Sequence, residues 1–119
     1  MFVREGARVR VEDLIRGVVV QSGNDACIVL AEGLSGTEEE FAKLMTKRAR
    51  ELGMMNSNFV NSTGWPAPGH EMSAQDLVLL ATHLIEKLPQ YYTYFAEKTF
   101  TWENITQNKI GRASCRERV

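Results

Sequence analysis

Ser22 and Asn24 stand two positions apart in the triplet Ser22-Gly23-Asn24. A hydroxyl and a carboxamide at that spacing on one turn can face one cleft, the first relaying a proton and the second holding a carbonyl. A Ser-x-Asn turn before a helix is also an ordinary N-terminal cap. The triplet gains weight because apolar helical stretches flank it, so the turn would hold both side chains in a fixed place. Other chemistry-bearing residues carry less. His70 and His83 form no His-Glu-x-x-His arrangement and have no neighbouring cysteines, so they read as ordinary loop and helix residues. Glu38-Glu39-Glu40 falls in a first helical turn, where negative charge offsets the helix dipole. Met45, Met54, Met55 and Met72 read as gap fillers in a core or as loop anchors. No metal and no cofactor is expected.

The elements that must position the turn are helical. Glu12-Asp13 opens an apolar-periodic stretch through Leu14, Ile15, Val18 and Val19, which predicts a short extended lead-in and a first helix over about 12–20. Ala26 to Leu34 is almost continuously apolar and predicts a buried second helix, closed by Gly33 and Gly36. Thr37 with Glu40 forms a capping-box signature ahead of Phe41, Leu44, Met45, Ala49 and Leu52, a third helix over about 38–52. From Met54 to Met72 turn formers succeed one another as a long loop. Ser73 and Asp76 then cap a fourth helix carrying Leu77, Leu80, Ala81, Leu84, Ile85 and Leu88 up to Pro89. An aromatic cluster from Tyr91 to Phe95 predicts a short helix, and Thr99-Phe100-Thr101-Trp102 alternates like a strand in need of a partner. Such an order cannot build a sheet from its own residues, so the chain reads as part of something larger.

Composition sets the bounds. The 119 residues are 44% apolar and 24% charged, as in an ordinary single domain. With 14 basic and 15 acidic side chains the formal charge is −1, too small a field to gather nucleic acid or anionic lipid. No apolar run reaches the ~20 residues of a membrane helix, and the charged first ten residues are no secretory signal peptide. Cys27 and Cys115 make neither a disulfide framework nor a metal site. The last ten residues, from Ile110 to Val119, change character, with three arginines and no apolar period. They resemble the translation of a sequencing-adapter oligonucleotide, which would leave residues 1–109, with 11 basic and 14 acidic side chains, to carry the biology.

The stretch Gly17-Val18-Val19-Val20-Gln21-Ser22-Gly23-Asn24-Asp25-Ala26, preceded by Val11-Glu12-Asp13-Leu14, resembles the Ser-x-Asn region of the low-molecular-mass penicillin-binding proteins, the serine-type D-alanyl-D-alanine carboxypeptidases. The likeness continues through Phe41 to Met45, Ala49 to Met54, and the loop from Asn61 to Pro66 and on to Leu77, so it covers residues 1–109. It implies a parent of the α+β penicillin-binding and β-lactamase-like fold, of which this piece is mostly α, about four helices with short strands near each end.

The family's chemistry uses Ser-x-x-Lys, Ser-x-Asn and a Lys-Thr-Gly strand. Here only the second is present, since none of Ser22, Ser35, Ser57, Ser62, Ser73 or Ser114 has a lysine three positions on. Lys98-Thr99-Phe100 imitates the third but lacks its glycine. By resemblance, Ser22 and Asn24 are both catalytic and substrate-binding: Ser22 passes a proton toward the leaving amine, Asn24 donates its amide to a substrate carbonyl, and Gly23 keeps the turn compact. The implied substrate is a peptidoglycan stem peptide ending in D-Ala-D-Ala, with β-lactams as its mimics. The implied location is the periplasm or cell envelope, against the cytoplasmic membrane through parts outside this chain. The chain itself, without nucleophile and base, is expected to be inactive. The rival readings are a non-catalytic helical interaction module, in which Ser22 and Asn24 only cap a helix, and a sister β-lactamase or transpeptidase.

Overall fold

The computed structural model describes residues 3–102 and 105–108. The elements run α1 (Val11–Gln21), α2 (Asn24–Ser35), α3 (Glu38–Glu51), α4 (Ala74–Lys87), α5 (Pro89–Tyr92), a 3-10 turn (Thr93–Ala96), β1 (Thr99–Trp102) and β2 (Ile105–Asn108). The chain divides into two units, residues 1–29 with 93–119 and residues 30–92. The tail expected to be non-native, 110–119, lies outside the described residues.

In the first unit α1 buries Leu14, Gly17, Val20 and Gln21, a stripe at helical spacing. The 3-10 turn and both strands lie against α1, and the Phe100 side chain of β1 is buried. Arg16 fastens the same helix to the returning chain: its Nε donates to both carboxylate oxygens of Glu97, at 3.0 and 3.1 Å. Its guanidinium lies 5.2 Å from the centre of the Tyr94 ring, a cation–π distance.

The strands correct one expectation. Thr99–Trp102 finds its partner within this chain, pairing antiparallel with β2 in the register Thr99↔Asn108 to Trp102↔Ile105. The residues before Val11 form no strand among the described ones, so both strands lie toward the C-terminal end.

In the second unit the helix starts follow the sequence signals. Thr37 Oγ1 accepts from the Glu40 N–H at 3.1 Å and caps α3. Ser73 Oγ accepts from the Asp76 N–H at 3.1 Å and caps α4. Gly36, at φ 83°, stops α2 in a left-handed conformation that a side chain would resist. The long loop after α3 is tied down rather than loose. Asp76 Oδ2 accepts from the Asn56 N–H and from Ser57 Oγ, each at 2.8 Å. Asn58 exchanges backbone hydrogen bonds with Glu71, and Thr46 Oγ1 meets both the N–H and the carbonyl of Phe59. Asn61 folds the loop tip by accepting from the Gly64 N–H and donating to the Trp65 carbonyl.

Candidate functional site

The Ser-x-Asn turn links α1 to α2 in the first unit. Past Gln21 the chain breaks from the helix with Ser22 at φ 52° and ψ 44°, the left-handed region. Among the described residues Ser22 is the non-glycine residue with positive φ. That conformation costs an L-residue roughly 1–2 kcal/mol, and residues held there cluster at functional sites. The N–H groups of Ser22 and Gly23 converge on the carbonyl of Gly17, the second at 2.9 Å. A Cβ on Gly23 would lie 3.0 Å from that oxygen, so Gly23 lets two backbone segments touch. From there α2 starts directly at Asn24, two residues earlier than the apolar run suggests, with the Cys27 N–H bonded to the Gly23 carbonyl at 3.1 Å.

Both predicted site residues therefore lie on one turn, Ser22 exposed and Asn24 half-buried. Neither side chain makes a hydrogen bond among the described residues. Asn24 occupies the first position of α2, where the helix dipole is positive and favours an electron-rich oxygen. The adjacent carboxylate is engaged elsewhere, Asp25 Oδ2 accepting from the Val3 N–H at 2.8 Å.

Beside the turn lies a buried polar residue that sequence reasoning missed. Gln21 is 5% exposed, and its Nε2 donates to the Phe100 carbonyl on β1 at 3.1 Å. The signal was available: Leu14, Gly17 and Gln21 recur at i, i+3 and i+7, which puts an amide on the apolar face. Arg16 makes a second tether, and its hydrogen bond to Glu97, with the charges of Glu97 and Glu12, raises its affinity for the proton above the ordinary guanidinium value.

The remaining candidates take structural parts. His70 Nδ1 accepts from the Val60 N–H at 3.1 Å, and its ring meets that of Phe59 edge-on at 5.6 Å, so it braces the loop. Glu38, in the first turn of α3, also accepts from Ser62 Oγ at 3.0 Å. Met54 is fully buried and Met55 exposed. In Lys98-Thr99-Phe100 the position of the family's glycine holds a buried phenylalanine side chain.

Comparison with known proteins identifies the family. A family model described as D-alanyl-D-alanine carboxypeptidase matches residues 1–118. D-alanyl-D-alanine carboxypeptidase DacD of Escherichia coli is 42% identical over 107 residues, covering 90% of this chain and 28% of that relative. The crystal structure of penicillin binding protein 6B from Escherichia coli superposes with a TM-score of 0.89 at 40% identity, over 94% of this chain and 35% of that one. Penicillin-Binding Protein D2 from Listeria monocytogenes, in its ampicillin-bound form, is 28% identical with a TM-score of 0.75, over 87% of this chain and 43% of that one. The chain thus spans 28% of the length of the curated relative.

Proposed function

The chain belongs to the D-alanyl-D-alanine carboxypeptidase family, and from that premise we propose that it supplies the Ser-x-Asn element of a serine-type D-Ala-D-Ala carboxypeptidase that trims peptidoglycan stem peptides. In this reading residues 1–109 are the working part of this segment and 110–119 a non-native tail, set apart by its composition although the family match runs to residue 118. The observation that carries the reading is the left-handed Ser22, whose hydroxyl, like the amide of Asn24, has no hydrogen bond among the described residues.

In the reaction, a serine Oγ outside this chain attacks the penultimate D-alanine carbonyl and forms an ester bond. The C–N bond to the terminal D-alanine breaks, and the leaving amine takes a proton. In this reading Ser22 relays that proton, and Asn24 donates Nδ2–H to a substrate carbonyl and so orients the peptide. Water then hydrolyses the acyl-enzyme and frees the serine. Residues 1–119 include neither the nucleophile nor its lysine base, so this chain alone performs no turnover. A β-lactam, which mimics the D-Ala-D-Ala end, enters the same path and stops at the ester. The ampicillin-bound Listeria structure supports this part of the reading for its own protein.

The substrate places the enzyme in the cell envelope, on the periplasmic side where peptidoglycan is built and cell shape is set. No helix among the described residues is long and apolar enough to cross a membrane. Residues 1–109 are net acidic, which disfavours nucleic acid as a partner.

Resequencing the source DNA across Met1 and across the Lys109/Ile110 junction tests the reading. The expected result is an open frame with a Ser-x-x-Lys segment upstream and a Lys-Thr-Gly strand downstream. A frame that begins and stops as written overturns it in favour of the interaction module.

A further inference from the structure

We propose that Gln21 is a positioning residue for the reaction: its buried amide ties the Ser22 turn to β1 and so fixes where the Ser22 hydroxyl points. The inference rests on the carboxypeptidase reading and deepens it.

Three observations carry it. Gln21 is the last residue of α1, covalently next to Ser22, and only 5% exposed. Its Nε2 donates at 3.1 Å to the carbonyl of Phe100, a residue 79 positions away on a buried part of β1. Its Oε1 is buried without a partner among the described residues. The amide cannot be turned over to relieve that oxygen, because two acceptors would then face each other across the Phe100 contact.

A buried amide with one half unsatisfied is a poor choice for stability, since an apolar side chain of the same size fills the space without stranding an acceptor. Its advantage is directional. A hydrogen bond to a strand carbonyl restrains the end of α1 at one orientation, which hydrophobic contact does not do. The constraint falls where it is needed, immediately before the left-handed Ser22, whose backbone would otherwise relax toward commoner conformations. Arg16 and Glu97 fasten α1 to the same returning segment one turn earlier, so Gln21 governs the last turn and not the helix as a whole.

The test uses the protein from the complete reading frame and a fluorescent penicillin, with the acylation rate constant and the noncovalent binding constant measured separately per labelled site. Counting by labelled site removes unfolded molecules from the comparison. Gln21→Met keeps the volume and removes both polar atoms, while Gln21→Glu keeps an acceptor and replaces the N–H donor. The expected result is an acylation rate constant lower by about 10- to 100-fold in both variants, with noncovalent binding within about twofold of wild type and the melting temperature of Gln21→Met little changed. Wild-type acylation constants in both variants overturn the inference and leave the carboxypeptidase reading standing. So does a fall in melting temperature with unchanged acylation per site, the mark of a purely structural residue. A wild-type protein that takes up no penicillin overturns the inference and the reading together.

Discussion

The backbone N–H of Gly23 donates to the carbonyl of Gly17 across 2.9 Å, and a Cβ on Gly23 would sit 3.0 Å from that same oxygen. The obstacle is backbone on a buried helical turn, so it cannot swing aside as a flexible side chain would. Gly23→Ala is therefore expected to cost about 1–3 kcal/mol, the range for forcing extra volume into a packed site. Urea unfolding would read this as a lower midpoint with an unchanged slope. An unchanged midpoint would show that α1 and α2 do not meet this closely.

Asp76 is 3% exposed and serves the long loop as well as its own helix. One oxygen, Oδ2, accepts from both the Asn56 N–H and Ser57 Oγ, and Ser57 is itself 1% exposed. Asp76→Ala strands the buried Ser57 hydroxyl, at about 1–3 kcal/mol, and also removes the acceptor of the Asn56 N–H. Asp76→Asn can keep an oxygen at that position and should cost clearly less. Thermal melts of the two variants check the order, and equal losses would contradict the role given to that oxygen.

Tyr94 holds its phenol proton above the ordinary value of 10.0, chiefly because it loses solvent against the protein, with the charge and hydrogen bond of Glu12 adding to the effect. An acid whose folded pKa is raised favours the folded state while it stays neutral. Its contribution is fully present below the unfolded pKa and is lost as pH rises through the folded one. Stability should therefore decline as pH climbs past about 10, and Tyr94→Phe should flatten that decline. Melting temperature against pH, with phenolate absorbance followed in parallel, is the measurement. A decline unaffected by Tyr94→Phe would assign it elsewhere.

Much of this was legible in the sequence because it is local. Thr37 and Ser73 announce α3 and α4 by hydroxyls that reach only three residues along the chain, as they do in the fold. That Ser22 and Asn24 share one turn was legible for the same reason, while the roles proposed for them came from the family resemblance. What stayed hidden depends on distant partners. The carboxylate of Asp76, which looked like part of a cap, reaches back 20 positions to the loop. The hairpin escaped notice because Ile105–Asn108 has no marked alternation of its own, and only pairing with Thr99–Trp102 makes it a strand. Gln21 was passed over because its partner lies 79 positions away.

Apolar surface is left open in the second unit. On α2, Leu34 is 70% exposed, and α4 exposes Leu77, Val78, Leu79 and Ile85. An apolar pocket of ≈ 320 Å³, bordered by Phe41, Leu44, Met45, Leu52, Phe59 and Leu80, lies in the second unit. Patches of this kind drive association. The isolated 119-residue chain should self-associate, with an apparent mass by light scattering that rises with concentration. A monomer with a sharp two-state melt would contradict this.

The central claim is that Ser22 and Asn24 work in a D-Ala-D-Ala carboxypeptidase. The direct measurement is D-alanine release from a stem peptide ending in D-Ala-D-Ala, by the protein from the complete reading frame and by its Ser22→Ala and Asn24→Ala variants. The account predicts release by the wild type and losses of about 10²-fold or more in both variants, the size typical of a positioned proton-transfer group. The 119-residue chain alone should release none. Wild-type release left intact by Ser22→Ala, or turnover by the short chain that Ser22→Ala abolishes, would contradict it.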